Sequence, residues 1–156
     1  MILKSSYKDG DRLPAKYANL GPVGGENISP PFQWEDAPHG TKSFCLAMID
    51  HHPVANHFVH WLVIDIPADV FQIAEGASGA GKMPSGAYEL ATDYGQPGYG
   101  GGRPPAGTGY HGYETTVWAL DVASLELGAS SNFAQYEKAI TGKALAKATL
   151  TGLFSQ

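Results

Sequence analysis

Short apolar runs rich in β-branched and aromatic residues, separated by long stretches dense in proline and glycine, are the feature that most constrains the fold of this chain. Proline and glycine interrupt regular structure and mark turns, so this pattern is typical of a β-rich domain with long connections. The strands that it predicts are residues 32–34, 43–50, 58–66, 113–120 and 148–154. No segment of about 20–50 residues repeats, which excludes solenoids and propellers.

Helix is scarce in the sequence. The strongest candidate is residues 131–140, where Asn132 is placed to cap the first turn and Gly142 to end the last one. A short helical turn is also predicted around residues 14–18. We therefore expect a fold dominated by β-structure, with one or two short helices.

The predicted strand 58–66 carries a histidine among apolar side chains. Because side chains alternate between the two faces of a strand, His60 is predicted to share a face with Leu62 and Ile64, opposite Trp61. An imidazole in such a run needs partners for both of its nitrogens. His60 is therefore either a core histidine satisfied within the protein or a ligand-binding residue.

Length and charge narrow the function classes. The 156 residues fit one domain, residues 1–156, whose core needs neither disulfides nor a structural metal. Charged residues make up only 16% of the chain, the formal net charge is −5, and the ten basic residues are scattered. A nucleic-acid binder concentrates basic residues in a patch or stripe, so no nucleic-acid partner is expected.

The sequence also bears on the compartment. The single cysteine, Cys45, lies in a continuous apolar run typical of a strand covered on both faces, and we expect an inert buried thiol. One cysteine forms no intramolecular disulfide, so nothing points to an oxidising compartment. No stretch reaches the length of a membrane span, and the first residues lack the apolar core of a signal peptide. We expect a cytoplasmic protein without stable membrane insertion.

Common enzyme and metal signatures are absent. The G-x-G-x-x-G string at residues 107–112 follows a proline-rich loop and leads into a strand, whereas the dinucleotide fingerprint needs a strand before it and a helix after it. No Walker lysine motif, H-E-x-x-H or G-x-S-x-G is present. His51, His52 and His57 show no recurring zinc spacing and are expected to be exposed loop residues. We expect no metal and no cofactor.

Most of the polar chemistry lies in two distant segments, residues 50–61 and 104–113, each placing a histidine beside a rigid loop. Taken as two sides of one pocket, they combine a carboxylate, two imidazoles, a phenol and inward-facing loop N–H groups. Such a set suits a small anion such as a phosphate or a carboxylate. We predict a hydrogen bond between Asp50 and His60 that orients the ring and favours its cation.

Taken together, these segments resemble the phosphatidylethanolamine-binding protein family, in its prokaryotic Raf kinase inhibitor-like branch. The resemblance extends from about residue 25 to residue 154. The matching segments are residues 25–34 (G-E-N-I-S-P-P-F-Q-W), 38–44 (P-H-G-T-K-S-F), Asp50, 60–61, 66–67, 94–95, 98–101, 104–113 and 119–121.

The resemblance implies both a fold and a site. The fold is a large Greek-key β-sheet, antiparallel or mixed, packed on a smaller sheet. The site is a shallow pocket that holds phosphate, acetate or phosphoryl head groups in relatives. Its residues here would be Asp50, Pro53, His60, Pro105, Gly107, His111 and Tyr113.

Three departures from the family pattern concern the pocket. The D-P-D-A-P motif reads D-H-H-P-V at residues 50–54, so His52 replaces the second aspartate, and the path to His60 is one residue shorter. The proline of this loop is usually cis in the family, and the sequence leaves the isomer of Pro53 open. Arg103 stands where many bacterial relatives carry cysteine, which offers a second anion donor.

The leading interpretation is non-catalytic binding of a small anionic ligand such as phosphate, phosphoethanolamine or a carboxylate. The alternative is a regulatory protein-interaction module that inhibits a kinase or protease, with aromatic residues around Tyr94 and Tyr99 at the interface. A third is a weak acid–base hydrolase that uses Asp50 with His60. We expect that the protein is not an enzyme. A homodimer is compatible with the resemblance.

Overall fold

The fold is built from eight strands and little helix, in a computed structural model that describes residues 1–156. The strands are β1 (Ile2–Lys4), β2 (Phe32–Glu35), β3 (Ser43–Asp50), β4 (Phe58–Pro67), β5 (Gln72–Ile73), β6 (Tyr88–Glu89), β7 (His111–Leu120) and β8 (Ala144–Phe154). A 3₁₀ turn covers Ala15–Tyr17 and one α-helix, α1, covers Phe133–Ile140. The predicted fold class, a β-dominated fold with one or two short helices, is confirmed.

The strands form two sheets. The larger has the order β6-β4-β3-β7-β8 and the smaller the order β1-β2-β5. All named strand pairs are antiparallel, so the larger sheet is antiparallel rather than mixed. Strand β3 lies at the centre of the larger sheet, and all eight of its residues are buried.

The larger sheet is covered on both faces, which explains the continuous apolar run of β3. One face packs against the smaller sheet, in a core that includes Trp34, Phe44 and Trp61. The other face packs against α1 through Tyr136 and Ile140. The helix begins with the predicted cap, since the Asn132 side chain accepts a hydrogen bond from the backbone N–H of Gln135.

A β-bulge changes the direction of His60. Strand β4 pairs Trp61 with Met48 but Val59 with Ile49, which leaves His60 as the extra residue without a partner. Its ring lies 5.0 Å from the ring of Tyr113, on the face that packs against the smaller sheet. The prediction that His60 shares a face with Leu62 and Ile64 is therefore wrong, because strict alternation fails at a bulge.

Both ends of the described chain pack beside the last strand. The N–H of Gly10 donates to Thr151 O (2.8 Å) and the N–H of Leu13 to Leu153 O (2.7 Å), so this segment covers part of the edge of β8. The Gln156 side chain donates to Pro104 O at 2.6 Å. None of the helices is long and apolar enough to cross a membrane.

Candidate functional site

A cavity of about 200 Å³ opens where three strands of the larger sheet meet. Strand β3 runs antiparallel to β4 and β7, so its last residue lies beside the beginnings of both neighbours. The two sequence segments predicted to form one pocket are thereby brought together. The lining residues are Asp50, Val54, Ala55, Phe58, His60, Arg103, Pro104, Pro105, His111 and Tyr113.

Two of the seven predicted pocket residues do not line this cavity. Pro53 is exposed in the turn after β3, and its peptide bond is trans, since the chain contains no cis peptide bond. The N–H of Gly107 is used within the protein and donates to Gln156 O at 3.3 Å. The cavity wall at Pro104 and Pro105 has no N–H to offer, so the predicted inward-facing amides are missing there.

The Asp50 carboxylate is a buried acceptor for two donors, with 3% of the residue exposed. Its Oδ1 accepts from the backbone N–H of His52 (2.9 Å), and its Oδ2 accepts from Nδ1 of His111 (2.6 Å). The predicted hydrogen bond between Asp50 and His60 is therefore wrong. The reason is that β7 begins early, at His111, and places that imidazole rather than His60 beside the carboxylate.

Both ring nitrogens of His111 are engaged within the protein. Nδ1 contacts Asp50, and Nε2 lies 2.8 Å from Oγ1 of Thr108, whose hydroxyl donates to Pro105 O at 2.7 Å. The protein therefore leaves neither ring nitrogen of His111 without a partner. The ring of His52 stacks on His111 with centroids 3.8 Å apart, so His52 is half-buried rather than exposed as predicted.

His60 has a different environment. Nδ1 lies 2.7 Å from Gly100 O, and because a carbonyl oxygen only accepts, Nδ1 carries the proton. Burial lowers the pKa of His60 from 6.5 to about 4 and outweighs the opposing hydrogen bond to Gly100 and the nearby charge of Asp50. The predicted His60 cation is therefore wrong. The ring is neutral at neutral pH, and Nε2 has a free lone pair with no partner in the protein.

The hydrogen-bond donors without a protein partner are a phenol and a guanidinium. Burial raises the pKa of Tyr113 strongly, so its O–H stays protonated, and it makes no hydrogen bond within the protein. Arg103 is exposed at the cavity and forms no ion pair within the protein. Its role as a second anion donor stays a prediction.

Sequence reasoning missed two contributors to the site. Phe58 lines the cavity and lies 4.9 Å from the ring of His60, centroid to centroid. Side chains two residues apart on a strand share a face, so the i, i+2 spacing of Phe58 and His60 was the available signal. Thr108 was missed as the partner of His111, although its position three residues earlier, in a glycine-rich turn, was a signal for a local hydrogen bond.

Other predicted residues do not line the cavity. His51 and His57 are exposed as predicted, with their Nδ1 atoms 2.8 Å apart. Tyr99 is buried in the core and its hydroxyl donates to Tyr17 O at 2.6 Å, so its expected place at a protein interface is wrong. Tyr94 is 39% exposed and remains accessible.

Known proteins resemble the chain over its full length. Residues 3–155 match the family model described as Phosphatidylethanolamine-binding protein. A UPF0098 protein from Aquifex aeolicus (strain VF5) is 39% identical over 157 residues, covering 99% of this chain and 88% of the relative. The UPF0098 protein YbhB from Escherichia coli (strain K12) is 36% identical over 157 residues, covering 99% of both.

Solved structures share the fold. The crystal structure of E. coli YbcL, described as a new member of the mammalian PEBP family, superposes with a TM-score of 0.92 at 30% identity and covers 99% of this chain and 98% of that one. A putative phosphatidylethanolamine-binding protein homolog from Chlamydia trachomatis has a TM-score of 0.84 at 29% identity, covering 99% and 96%. The resemblance inferred from the sequence motifs is confirmed.

Proposed function

The chain belongs to the phosphatidylethanolamine-binding protein family, and from that premise we propose that it binds a small phosphorylated or carboxylated anion in the cavity described above. The observation that carries the proposal is the combination of the unpaired guanidinium of Arg103 with the unpaired phenol of Tyr113 at one small cavity. Charge-assisted hydrogen bonds of this kind are the strong ones for carboxylate and phosphate.

The size of the cavity favours a head group over a whole lipid. Sites for drug-sized ligands occupy about 300–1,000 Å³, and this cavity has about 200 Å³. A phosphate, acetate or phosphoethanolamine matches such a space, whereas acyl chains do not. The ligand class is therefore a phosphoryl or carboxyl group with little attached to it.

The chemistry of the lining supports binding without turnover. No serine, threonine or cysteine is among the lining residues, so the cavity offers no hydroxyl or thiol nucleophile other than the phenol. Asp50 and His60, the pair that a hydrolase would use, are not hydrogen-bonded to each other. The arrangement therefore favours a binding protein over an acid–base hydrolase.

The test is an amide-resolved NMR titration with phosphate, phosphoethanolamine and acetate at constant ionic strength. Saturable shifts are expected at Asp50, His60 and Tyr113. Arg103→Gln should weaken binding by roughly 10-fold or more, because a hydrogen bond to a charged group is lost. The matched control is Arg12→Gln. Arg12 is the chain's other arginine and does not line the cavity, so the substitution should leave affinity unchanged.

Two outcomes contradict the proposal. One is the absence of any saturable local shift with all three ligands. The other is equal weakening by Arg103→Gln and Arg12→Gln, which would assign the effect to net charge rather than to the cavity.

A further inference from the structure

The cavity offers acceptors to a ligand as well as donors. His60 is 3% exposed, yet its Nε2 has no partner in the protein, and the residue lines the cavity. Because Nδ1 donates to Gly100 O, Nε2 of the neutral ring presents a lone pair rather than a proton. An unpaired imidazole nitrogen of a cavity-lining residue can accept a hydrogen bond from a ligand.

The other polar groups divide into two kinds. Asp50 lines the cavity, and its carboxylate oxygens keep lone pairs beyond the bonds to His52 and His111. Arg103 and Tyr113 are donors, whereas His111 has both nitrogens engaged within the protein. The cavity therefore combines a cation and a phenol with an imidazole lone pair and a carboxylate.

From this arrangement we infer that the cavity selects oxyanions that carry a hydrogen, such as hydrogen phosphate or a singly protonated phosphomonoester, over fully ionised ones such as sulfate. This specificity rests on the proposed function. The ionised oxygens accept from Arg103 and Tyr113, while the ligand's own O–H donates to His60. Sulfate turns a lone pair toward the lone pair of Nε2 and leaves that nitrogen without a donor from the ligand.

The expected discrimination is large enough to measure. Sites built to bond a hydroxyl reject analogues without it by about 10⁴- to 10⁵-fold, because the site's buried polar group stays unpaired. This cavity is open to solvent, which lets water compensate part of that loss. We expect phosphate to bind at least about 10-fold more tightly than sulfate.

Hydrogen phosphate and sulfate form a matched pair near pH 8, since both are tetrahedral dianions and only the first carries a proton. Dissociation constants are measured by NMR titration at constant ionic strength. Affinities within about twofold of each other would overturn the inference and leave the proposed function standing. If phosphate, sulfate, acetate and phosphoethanolamine all fail to bind, both the inference and the proposed function are overturned. Methyl phosphate and dimethyl phosphate, compared near pH 5 where each carries one charge, extend the test to esters, and equal binding there counts against the inference.

Two variants separate the roles of acceptor and donor. His60→Gln replaces the fixed lone pair with an amide that also donates, so the phosphate-to-sulfate ratio should fall toward one. Tyr113→Phe removes a donor that serves both anions, so both affinities should weaken while the ratio persists. A ratio that collapses in Tyr113→Phe but not in His60→Gln contradicts the assignment.

The tautomer of His60 provides a test that needs no variant. Long-range ¹H–¹⁵N correlation of the imidazole should show a protonated Nδ1 and an unprotonated Nε2 near pH 7. Phosphate should move the Nε2 signal in the direction of hydrogen-bond acceptance. A proton on Nε2 in the free protein would overturn the inference, whether or not His60→Gln folds.

Discussion

The protonation state of His60 follows from its surroundings rather than from its residue type. The aromatic rings of Phe58, Tyr94 and Tyr113 lie within 6 Å of it, measured between ring centroids, and exclude water from the ring. Desolvation disfavours the imidazolium, so the neutral form is retained well below the usual pKa of histidine. The same burial that fixes the ring leaves Nε2 as its only accessible polar atom.

This environment predicts a loss of stability in acid. The pKa of His60 is about 4 in the folded protein and 6.5 in the unfolded chain, so between these values the unfolded chain binds more protons. The contribution of the neutral His60 ring to the free energy of unfolding is fully present above about pH 6.5. It is lost as the pH falls toward 4, to a total of about 3 kcal/mol. Urea unfolding of the wild type and His60→Gln across this range measures it, as the difference between the two curves.

The exposed histidine of the β2–β3 turn provides the control for that experiment. His39→Gln removes an exposed imidazole by the same substitution, so it shows how much of the difference comes from the exchange of histidine for glutamine itself. Parallel curves for the wild type and His60→Gln would show that His60 titrates alike in the folded and unfolded states, contrary to the expectation.

At the scale of elements, three consecutive glycines shape the loop just before the cavity-lining residues Arg103, Pro104 and Pro105. A Cβ at Gly100 would lie 2.2 Å from the ring of Tyr94, one at Gly101 would lie 2.2 Å from Tyr17 O, and one at Gly102 would lie 2.3 Å from the ring of Tyr113. The loop therefore approaches two rings and a backbone segment more closely than any side chain allows. This approach positions Gly100 O against His60.

We expect Gly102→Ala to damage both stability and binding. The ring of Tyr113 is buried and cannot yield, and overpacking of this kind costs about 1–3 kcal/mol. Chemical denaturation and phosphate titration measure the two effects. Gly128→Ala is the matched control, because its Cβ would meet no atom within 4 Å. Gly128→Ala should change the free energy of unfolding by less than about 0.5 kcal/mol.

The elements also show which features the sequence could predict. The central strand was found with its observed bounds, Ser43–Asp50, because a strand covered on both faces has a continuous apolar run. Strands of two or three residues, such as Gln72–Ile73, were missed since they carry no periodicity to detect. The bulge at His60 was invisible for another reason: register depends on which strands become neighbours, and that is a tertiary fact.

The same division applies to the site. The motifs correctly predict that Asp50, His60, His111 and Tyr113 line one cavity. They assign the hydrogen-bond partner of Asp50 wrongly. Residue types identify which groups can bond, whereas the place where β7 begins decides that His111 rather than His60 meets Asp50. Gly107 was placed wrongly: its N–H was expected to face the pocket and instead donates a hydrogen bond to Gln156 O.

For the whole molecule, the position of β3 predicts a gradient of local stability. Its backbone is hydrogen-bonded to β4 on one side and to β7 on the other, and every residue of β3 is buried. We expect its amides to exchange with solvent only through global unfolding, while residues 79–82, in an exposed turn, exchange nearly freely. Native-state hydrogen exchange measures both, and faster exchange in β3 than in β8 would contradict this gradient.

The hydrogen bond from Gln156 to Pro104 has a consequence for the order of assembly. Pro104, which lines the cavity, is held by this bond, and β7 completes its pairing only when β8 is in place. Contacts between segments so distant in sequence form slowly, because the intervening chain must first be ordered. During synthesis on the ribosome, a nascent chain ending before residue 144 would have Asp50, His60 and His111 already made but would lack both β8 and the bond from Gln156 to Pro104. Phosphate binding by ribosome-arrested chains of increasing length would thus show at which chain length the site becomes able to bind.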